Sequence, residues 1–182
     1  MLTSTRLLLL LSLTACASYD HSVCPDLHRL ERRAALTTFR DSDGVAVASG
    51  RHLDSGWRVA DHLPAWQNVT PVGPWEYRYP NGQLRARFTY ALSCYIQCCS
   101  GGSCPQVHAY AVGPFELWYP NGAPRARGSF LARRQHVDTS CEGGDTTTRS
   151  VPSSDTQSWN EAGALIPFDA RAVENEFRPL SR

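Results

Sequence analysis

The sequence predicts an all-β protein in which repeated antiparallel β-hairpins form an elongated meander sheet with short flanking helices. Three observations predict this fold: an internal repeat with a period of forty residues, alternation of apolar and polar side chains in its two strong copies, and a Pro-Asn-Gly turn at the centre of each of these two. Repeats of this length are typical of architectures built from stacked units, and period-two alternation is that of half-buried strands. The predicted hairpin domain covers residues 36–166, followed by a tail or capping helix at 167–182.

The chain begins with the features of an export signal. Arg6 supplies a positive charge, and the apolar run at 7–13 is too short to span a bilayer as a lasting helix. The run closes with Leu13-Thr14-Ala15-Cys16, which resembles the lipobox of bacterial lipoproteins. The resemblance implies that 1–15 is a signal peptide and that Cys16 carries the lipid. The alternative is a plain secretory signal with an incidental cysteine.

A lipid on Cys16 implies a location on the cell envelope. Each buried methylene contributes about 0.8 kcal/mol, so several acyl chains anchor a protein firmly where a single chain does not. Ala17 follows the cysteine in place of Asp, which in lipoproteins of bacteria with two membranes resembles the signal for the outer membrane. We therefore expect the chain to contact a membrane through its N-terminal lipid.

Composition limits the other partners. Without Arg6, 17 basic residues remain against 17 acidic ones, and every basic residue is Arg. A formally neutral chain does not favour nucleic acid or an anionic membrane surface as a ligand. The 167 residues that follow the signal are enough for one domain with a hydrophobic core. A protein partner is the remaining expectation.

Residues 16–35 are predicted to hold the lipid anchor, a tether and a possible short helix. Pro25 and Asp26 are typical of a helix start, and Leu27 and Leu30 follow at helical spacing.

The repeat is the most informative feature of the chain. The segment 73–82, Gly-Pro-Trp-Glu-Tyr-Arg-Tyr-Pro-Asn-Gly, returns at 113–122 as Gly-Pro-Phe-Glu-Leu-Trp-Tyr-Pro-Asn-Gly. Weaker copies are predicted upstream at 39–50 and downstream at 159–165. Terminal copies are expected to be atypical because they cap the stack.

Each copy predicts a β-hairpin. Pro fixes φ at the first turn position, Asn tolerates the next, and Gly takes the left-handed conformation that closes a type I turn with a bulge. The predicted turn residues are Asn81, Gly82, Asn121 and Gly122. The apolar positions of the first strong copy are Trp75, Tyr77, Tyr79, Leu84, Ala86, Phe88 and Tyr90.

The pattern resembles the variant MORN repeat of YwqK-like antitoxins and of many bacterial envelope lipoproteins. The resemblance rests on Gly73-Pro74-Trp75 and on the Tyr-Pro-Asn-Gly turns at 79–82 and 119–122. It covers residues 36–130 well and extends less closely towards 166. It implies hairpins laid side by side, and it alone suggests an immunity or antitoxin role. The chain departs from the family in having few copies and in a Cys-rich insertion at 94–104, which is expected to lengthen the connection between hairpins.

Outside the repeats, the sequence predicts an exposed loop and a helix. Residues 143–158 are rich in Gly, Ser and Thr, which favours a loop. Residues 170–177 are predicted as a helix that Pro179 stops and that covers the open edge of the last strand.

Six cysteines besides Cys16 predict up to three disulfides, because an even number in an exported chain is typical of a disulfide framework. They are Cys24, Cys94, Cys98, Cys99, Cys104 and Cys141. Six thiols allow about 15 pairings, and the sequence does not choose among them. The alternative is a metal or thiol-redox site in the loop from 94 to 108, built from Cys98, Cys99, Cys104 and His108.

A charged face is predicted opposite the aromatic one. Glu76, Arg85 and Arg87 recur as Glu116, Arg125 and Arg127, and their simplest interpretation is cross-strand ion pairing. The functional alternative is a binding face for an anionic glycan or a partner protein. That face would consist of Trp118, Arg85, Arg87, Arg125 and Arg127.

No catalytic motif stands out. The sequence contains no H-E-x-x-H, G-x-S-x-G or phosphate-binding glycine loop, and the six histidines are scattered. No cofactor is predicted, and a hydrolase would need a site that only the fold assembles. The sequence therefore favours a non-catalytic envelope lipoprotein that acts as a protein-interaction or structural β-repeat module.

Overall fold

Ten antiparallel strands form one open sheet in the computed structural model, which describes residues 21–54, 69–100 and 102–177. The strands are β1 (Ala35–Arg40), β2 (Ala46–Asp54), β3 (Val69–Arg78), β4 (Leu84–Cys99), β5 (Gly102–Ala111), β6 (Gly113–Trp118), β7 (Pro124–Val137), β8 (Asp145–Pro152), β9 (Gln157–Trp159) and β10 (Leu165–Ile166). Two helices, α1 (Leu27–Arg33) and α2 (Ala170–Phe177), flank the sheet. The predicted all-β fold with short flanking helices is confirmed.

Some predictions fall outside the described residues. The signal peptide, Cys16 and Pro179 are among them. Within residues 21–54, 69–100 and 102–177, no helix is long and apolar enough to cross a bilayer.

The strands follow one another as a meander in the order β1-β2-β3-β4-β6-β7-β9-β10. The two longest strands, β4 and β7, continue beyond the hairpins. There β4 pairs with β5 from Tyr90↔Ala111 to Cys99↔Gly102, and β7 pairs with β8 from Phe130↔Pro152 to Val137↔Asp145. We call these extensions the β4–β5 arm (90–111) and the β7–β8 arm (130–152). The Cys-rich insertion at 94–104 therefore lengthens the connection between hairpins as a paired two-stranded arm.

The repeat copies form hairpins with the same turn. The turn glycines Gly44, Gly82, Gly122 and Gly163 have φ values of 78°, 82°, 81° and 80°. In each turn the glycine N–H donates to the carbonyl three residues earlier, at 2.8 to 3.1 Å. Neighbouring turns also contact each other, since the Asn81 side-chain amide donates to the Pro120 carbonyl at 2.9 Å. This left-handed glycine is the conformation that a type I turn with a bulge requires.

One face of the sheet carries the aromatic core. Its buried residues include Trp75, Tyr77, Phe88, Tyr90, Phe115, Leu117 and Phe130. The largest of them, Trp75, lies directly across from Gly50 on β2. A Cβ atom at position 50 would overlap the indole ring, so only glycine leaves room for it.

Two buried tyrosines belong to the same core. The hydroxyls of Tyr77 and Tyr90 share a hydrogen bond of 3.2 Å. Burial raises the pKa of both phenols above the ordinary value, so both stay neutral at physiological pH.

Helix α2 packs on this aromatic face. The ring of Phe177 lies 5.0 Å from the rings of both Tyr77 and Phe88, and Val173 is buried one turn earlier. The prediction that this helix covers the edge of the last strand was wrong. Val173 and Phe177 form an apolar stripe at i, i+4 spacing, and the aromatic face buries it.

The predicted loop at 143–158 was also wrong in its central part. Residues 145–152 form β8, which pairs with β7 along the arm. The Thr-rich run suits a strand because β-branched side chains pack well on a pleated surface. Asp145 is buried at the start of β8 and accepts a hydrogen bond of 2.6 Å from the Ile96 amide, which ties the two arms together.

Three disulfides confirm the framework that the cysteine count predicted. The pairs are Cys24–Cys94, Cys98–Cys141 and Cys99–Cys104. The first joins the N-terminal segment to the β4–β5 arm, the second joins the two arms, and the third closes the tip of the β4–β5 arm.

The disulfides include the cysteines of the alternative metal or thiol-redox site. Cys98, Cys99 and Cys104 are all in disulfides, and the His108 ring nitrogen Nε2 lies 3.2 Å from the Thr148 carbonyl oxygen. Across the ranges that the structure describes, no group of three or more His, Cys, Asp or Glu residues is placed to hold a metal ion.

Candidate functional site: the charged face of the sheet

A row of charged side chains crosses the sheet on the face opposite the aromatics. The backbone register places its members directly opposite one another on five strands: Glu76 on β3, Arg87 on β4, Glu116 on β6, Arg127 on β7 and Gln157 on β9. We call this row the charge ladder. Its members face solvent because side chains alternate along a strand, and their neighbours point into the core.

The ladder is held by ion pairs of modest strength. The Arg87 Nε donates to Glu76 Oε1 at 3.0 Å, and Arg87 Nη1 lies 3.9 Å from Glu116 Oε2. Arg78 also donates to Glu76, at 3.0 Å. The Arg87 side chain is 53% exposed, and pairs this exposed contribute about 0.2–1 kcal/mol each. Each pair therefore adds only a little to the stability of the sheet.

The β7 end of the ladder differs from the rest. The Arg127 guanidinium contacts the Gln157 amide oxygen at 3.1 and 3.4 Å. It has no carboxylate within 4 Å in the part of the chain that the structure describes. The alternation of charge along the row thus ends in a neutral amide beside an exposed arginine.

Two half-buried tryptophans flank the ladder arginines. The guanidinium of Arg87 lies 5.8 Å from the centre of the Trp118 ring, and that of Arg127 lies 5.4 Å from the Trp159 ring. Each contact is within the range of a cation–π interaction. The two arginines are equivalent in the repeat, and so are the two tryptophans, so the arrangement recurs across the sheet.

On its other side, the ladder borders an open groove of 750 Å³. Besides ladder residues, the exposed and half-buried part of its lining includes Pro74, Thr89, Pro114, Ser129 and Asp155. Asp155 accepts a hydrogen bond from the Ser153 hydroxyl. Apolar proline rings beside fixed charges and small hydroxyls form a surface suited to binding.

The five residues of the predicted binding face lie on two different faces of the sheet. Arg87 and Arg127 lie on the charged face, with Trp118 beside Arg87. Arg85 and Arg125 instead reach the aromatic face, so their predicted placement was wrong. The register shifts opposite Tyr77 and Arg78, where Ala86 and Leu84 are the partners and Arg85 is the extra residue. The same shift occurs at Arg125, and an inserted residue breaks the alternation of faces.

On the aromatic face the two displaced arginines meet one carboxylate. Glu176 of α2 accepts from Arg85 at 2.6 and 2.9 Å and from Arg125 at 2.7 Å. The Arg85 guanidinium also lies 5.0 Å from the centre of the Phe177 ring. Sequence analysis missed Glu176, because nothing in its local pattern shows that α2 reaches the arginines of two repeats.

Replacing Glu176 by Gln is expected to lower the free energy of unfolding by about 2 kcal/mol, since two half-buried guanidinium groups lose a charged acceptor. For a chain of this size that corresponds to a fall in Tm of about 4–8 °C, measured by circular dichroism. Glu116→Gln is the matched control. Its carboxylate is half exposed and 3.9 Å from Arg87, so its Tm is expected to stay within about 2 °C of the parent. Equal falls for the two variants would contradict the role given to Glu176.

Comparison of the chain with protein-family models, with curated proteins and with solved structures finds no match.

Proposed function

We propose that this protein is a non-catalytic envelope lipoprotein that works as a β-repeat interaction module and binds a partner protein through its charged face. The observation that supports it most is the charge ladder, an ordered row across five strands with a groove on one side and two tryptophans on the other. Arg and Trp are the residue types most enriched among binding hot spots.

The ion pairs of the ladder contribute little to folding, so their fixed arrangement is available for association with a partner. Exposed ion pairs add little to stability, yet here they are fixed in register by the repeat. Fixed charges contribute to the specificity and the rate of association more than to folding. A rigid sheet presents them without the entropy cost of ordering a loop.

The lipoprotein part of the proposal rests on the sequence of residues 1–16 and is consistent with the disulfides. The six other cysteines pair with one another. Cys16 is therefore not required as a disulfide partner by any of them. We also infer that the hairpins are variants of the MORN repeat, because the four copies share one turn geometry and lie side by side.

Photo-crosslinking in the cells that produce the protein tests the proposal. A photoreactive residue at Thr89, in the groove, is expected to give a defined crosslink to another protein in the membrane fraction. The same residue at Gln135, exposed on the β7–β8 arm, is the control and is expected to give none. With Cys16→Ser, both the crosslink and the protein are expected to leave the membrane fraction. Crosslinks at Gln135 but not at Thr89 would place the partner elsewhere, and membrane retention of the Cys16→Ser protein would refute the lipid anchor.

A further inference from the structure

Two arginines lie directly opposite each other on the β7–β8 arm. The backbone register pairs Arg133 of β7 with Arg149 of β8, so both side chains leave the same face of the strand pair. The Cβ atoms of directly opposed residues are about 4.5–5.5 Å apart, and like charges in that position destabilise a sheet. The charge ladder has no such repulsion, because each of its arginines lies opposite a glutamate or a glutamine.

No carboxylate neutralises the two guanidinium groups. Neither side chain has an ion pair or a hydrogen bond in the parts of the chain that the structure describes. Their same-face neighbours on the two strands are uncharged: Leu131, Val151, Gln135 and Thr147. The only acidic residue of β8 is Asp145, four residues from Arg149 or about 13 Å along the strand. Its carboxylate accepts a hydrogen bond from the Ile96 amide instead.

Protection of a strand edge explains only part of this arrangement. Residues 131–136 of β7 are all exposed, and charged side chains on an exposed strand prevent association with other chains. Arg149 is different because it is half-buried on β8, the strand that contacts the β4–β5 arm. The Thr148 amide donates to the Ser93 hydroxyl at 3.1 Å, and the Ser150 hydroxyl donates to the Ala111 carbonyl at 2.7 Å. The β4–β5 arm (90–111) contains no Asp or Glu, so it supplies no counter-charge.

The charge of the pair indicates the class of anion. A phosphomonoester carries a charge of about −1.5 to −2 at neutral pH and has three strong acceptor oxygens. Guanidinium groups bind phosphate oxygens through parallel hydrogen bonds. One phosphomonoester therefore neutralises both arginines, whereas a carboxylate or a phosphodiester carries a single negative charge.

The N-terminal segment keeps this part of the arm close to its own N-terminus. The Cys24–Cys94 disulfide fixes the segment next to Ser93, whose hydroxyl contacts the β8 backbone beside Arg149. Cys16 precedes Cys24 by eight residues. An extended chain spans at most about 3.6 Å per residue, so a lipid on Cys16 is attached no more than about 29 Å from Cys24. The headgroup of a membrane lipid is thus one source of a phosphomonoester, and a soluble compound is the other.

We propose that Arg133 and Arg149 form a binding site for a phosphomonoester on the β7–β8 arm. The site is separate from the charged face, to which the proposed function assigns the protein partner. Only the reach to a lipid headgroup rests on the proposed lipid anchor.

Calorimetric titration of the full chain in a neutral detergent tests the inference. The soluble probe is glycerol 3-phosphate, and the lipid probe is dihexanoyl phosphatidic acid, which is also a phosphomonoester. Dihexanoyl phosphatidylglycerol, a phosphodiester with the same acyl chains, is the control. Phosphatidic acid is expected to bind about tenfold or more tightly than phosphatidylglycerol, because it neutralises the second arginine. Tighter binding of phosphatidic acid than of glycerol 3-phosphate would assign the site to a lipid headgroup, and equal binding would assign it to a soluble phosphomonoester.

Arg133→Gln and Arg149→Gln are each expected to weaken binding of both phosphomonoesters about tenfold or more, by removal of charge-assisted hydrogen bonds. Arg134→Gln is the matched control. Arg134 is an exposed arginine of the same strand, and its side chain leaves the opposite face, so affinity is expected to stay unchanged.

The stability of the ligand-free protein distinguishes a binding pair from a structural one. Without ligand, Arg133→Gln is expected to raise Tm by about 1–3 °C at low salt, because it removes the repulsion between like charges. Circular dichroism measures this change and checks that every variant folds. A pair that stabilised the arm would give the opposite sign.

Three results would overturn the inference: equal affinity for phosphatidic acid and phosphatidylglycerol, unchanged binding in Arg133→Gln and Arg149→Gln, or a lower Tm of ligand-free Arg133→Gln. The crosslink at Thr89 tests the proposed function on a different face of the molecule. Its loss would leave the phosphomonoester site standing, and failure of the titration would leave the partner-binding face standing.

Discussion

Replacing Trp75 by Ala is expected to lower the free energy of unfolding by about 3–5 kcal/mol, because a large buried side chain leaves a cavity that a rigid sheet cannot close. Trp75 is 1% exposed and stacks between Phe39 and Tyr77, with ring centres 5.9 and 5.8 Å away. Its indole N–H donates to the Arg51 carbonyl at 2.8 Å. The expected fall in Tm, measured by circular dichroism, is about 10 °C.

Trp118→Ala provides the control for this substitution. Trp118 is half-buried on the charged face, and its ring contacts Arg87 through a cation–π interaction. Loss of that contact is expected to cost about 0.5–1 kcal/mol. If both variants lose the same stability, the aromatic face is not the main core.

The contact between Trp75 and Gly50 shows where sequence reasoning stops. The alternation of Trp75 with Glu76 is local and predicts which face the indole occupies. Its position over a glycine depends on the register between β2 and β3. The pairing of the two strands sets that register, and the sequence of either strand alone does not reveal it. The need for glycine at position 50 therefore appears only in the assembled sheet.

The predicted face of Arg85 and Arg125 was wrong for a different reason. The turn chemistry predicts a bulge, and the structure has the corresponding shift in register at both hairpins. Strict alternation carried through the bulge places Arg85 and Arg125 on the wrong face. The signal needed to place them correctly is the Pro-Asn-Gly turn itself.

Helix α2 could be predicted as a helix but not as a partner of the repeats. Its apolar stripe of Val173 and Phe177 requires some surface to cover it, and the local sequence does not specify which one. The exposed strand edge and the aromatic face were both available. On the aromatic face Phe177 packs against Tyr77 and Phe88, and the Glu176 carboxylate reaches arginines of two hairpins.

The disulfides also depended on the fold. An even cysteine count predicts a framework, but about 15 pairings satisfy it. The structure selects one because β4 carries Cys94 and Cys98 along the arm while β7 and β8 bring Cys141 next to its tip. The energetic consequences of the three bonds differ because they close loops of very different length.

The Cys24–Cys94 bond is expected to contribute the most. It closes a loop with a sequence separation of 70, and the loss of loop entropy in the unfolded chain predicts a contribution of about 4 kcal/mol. The double variant Cys24→Ala with Cys94→Ala is therefore expected to lower Tm by about 10 °C. It also releases the N-terminal segment from the β4–β5 arm, so limited proteolysis before α1 is expected to become faster.

The matched control is the double variant Cys99→Ala with Cys104→Ala. This pair has a sequence separation of 5, and the same entropy relation predicts about 2 kcal/mol, half the effect of the longer loop. Both variants remove one disulfide and two sulfur atoms, so the difference between them isolates loop length and the anchoring of the N-terminal segment. If the short-loop variant proves the less stable of the two, strain or packing at the arm tip outweighs chain entropy, and the N-terminal segment is not an important attachment of the fold.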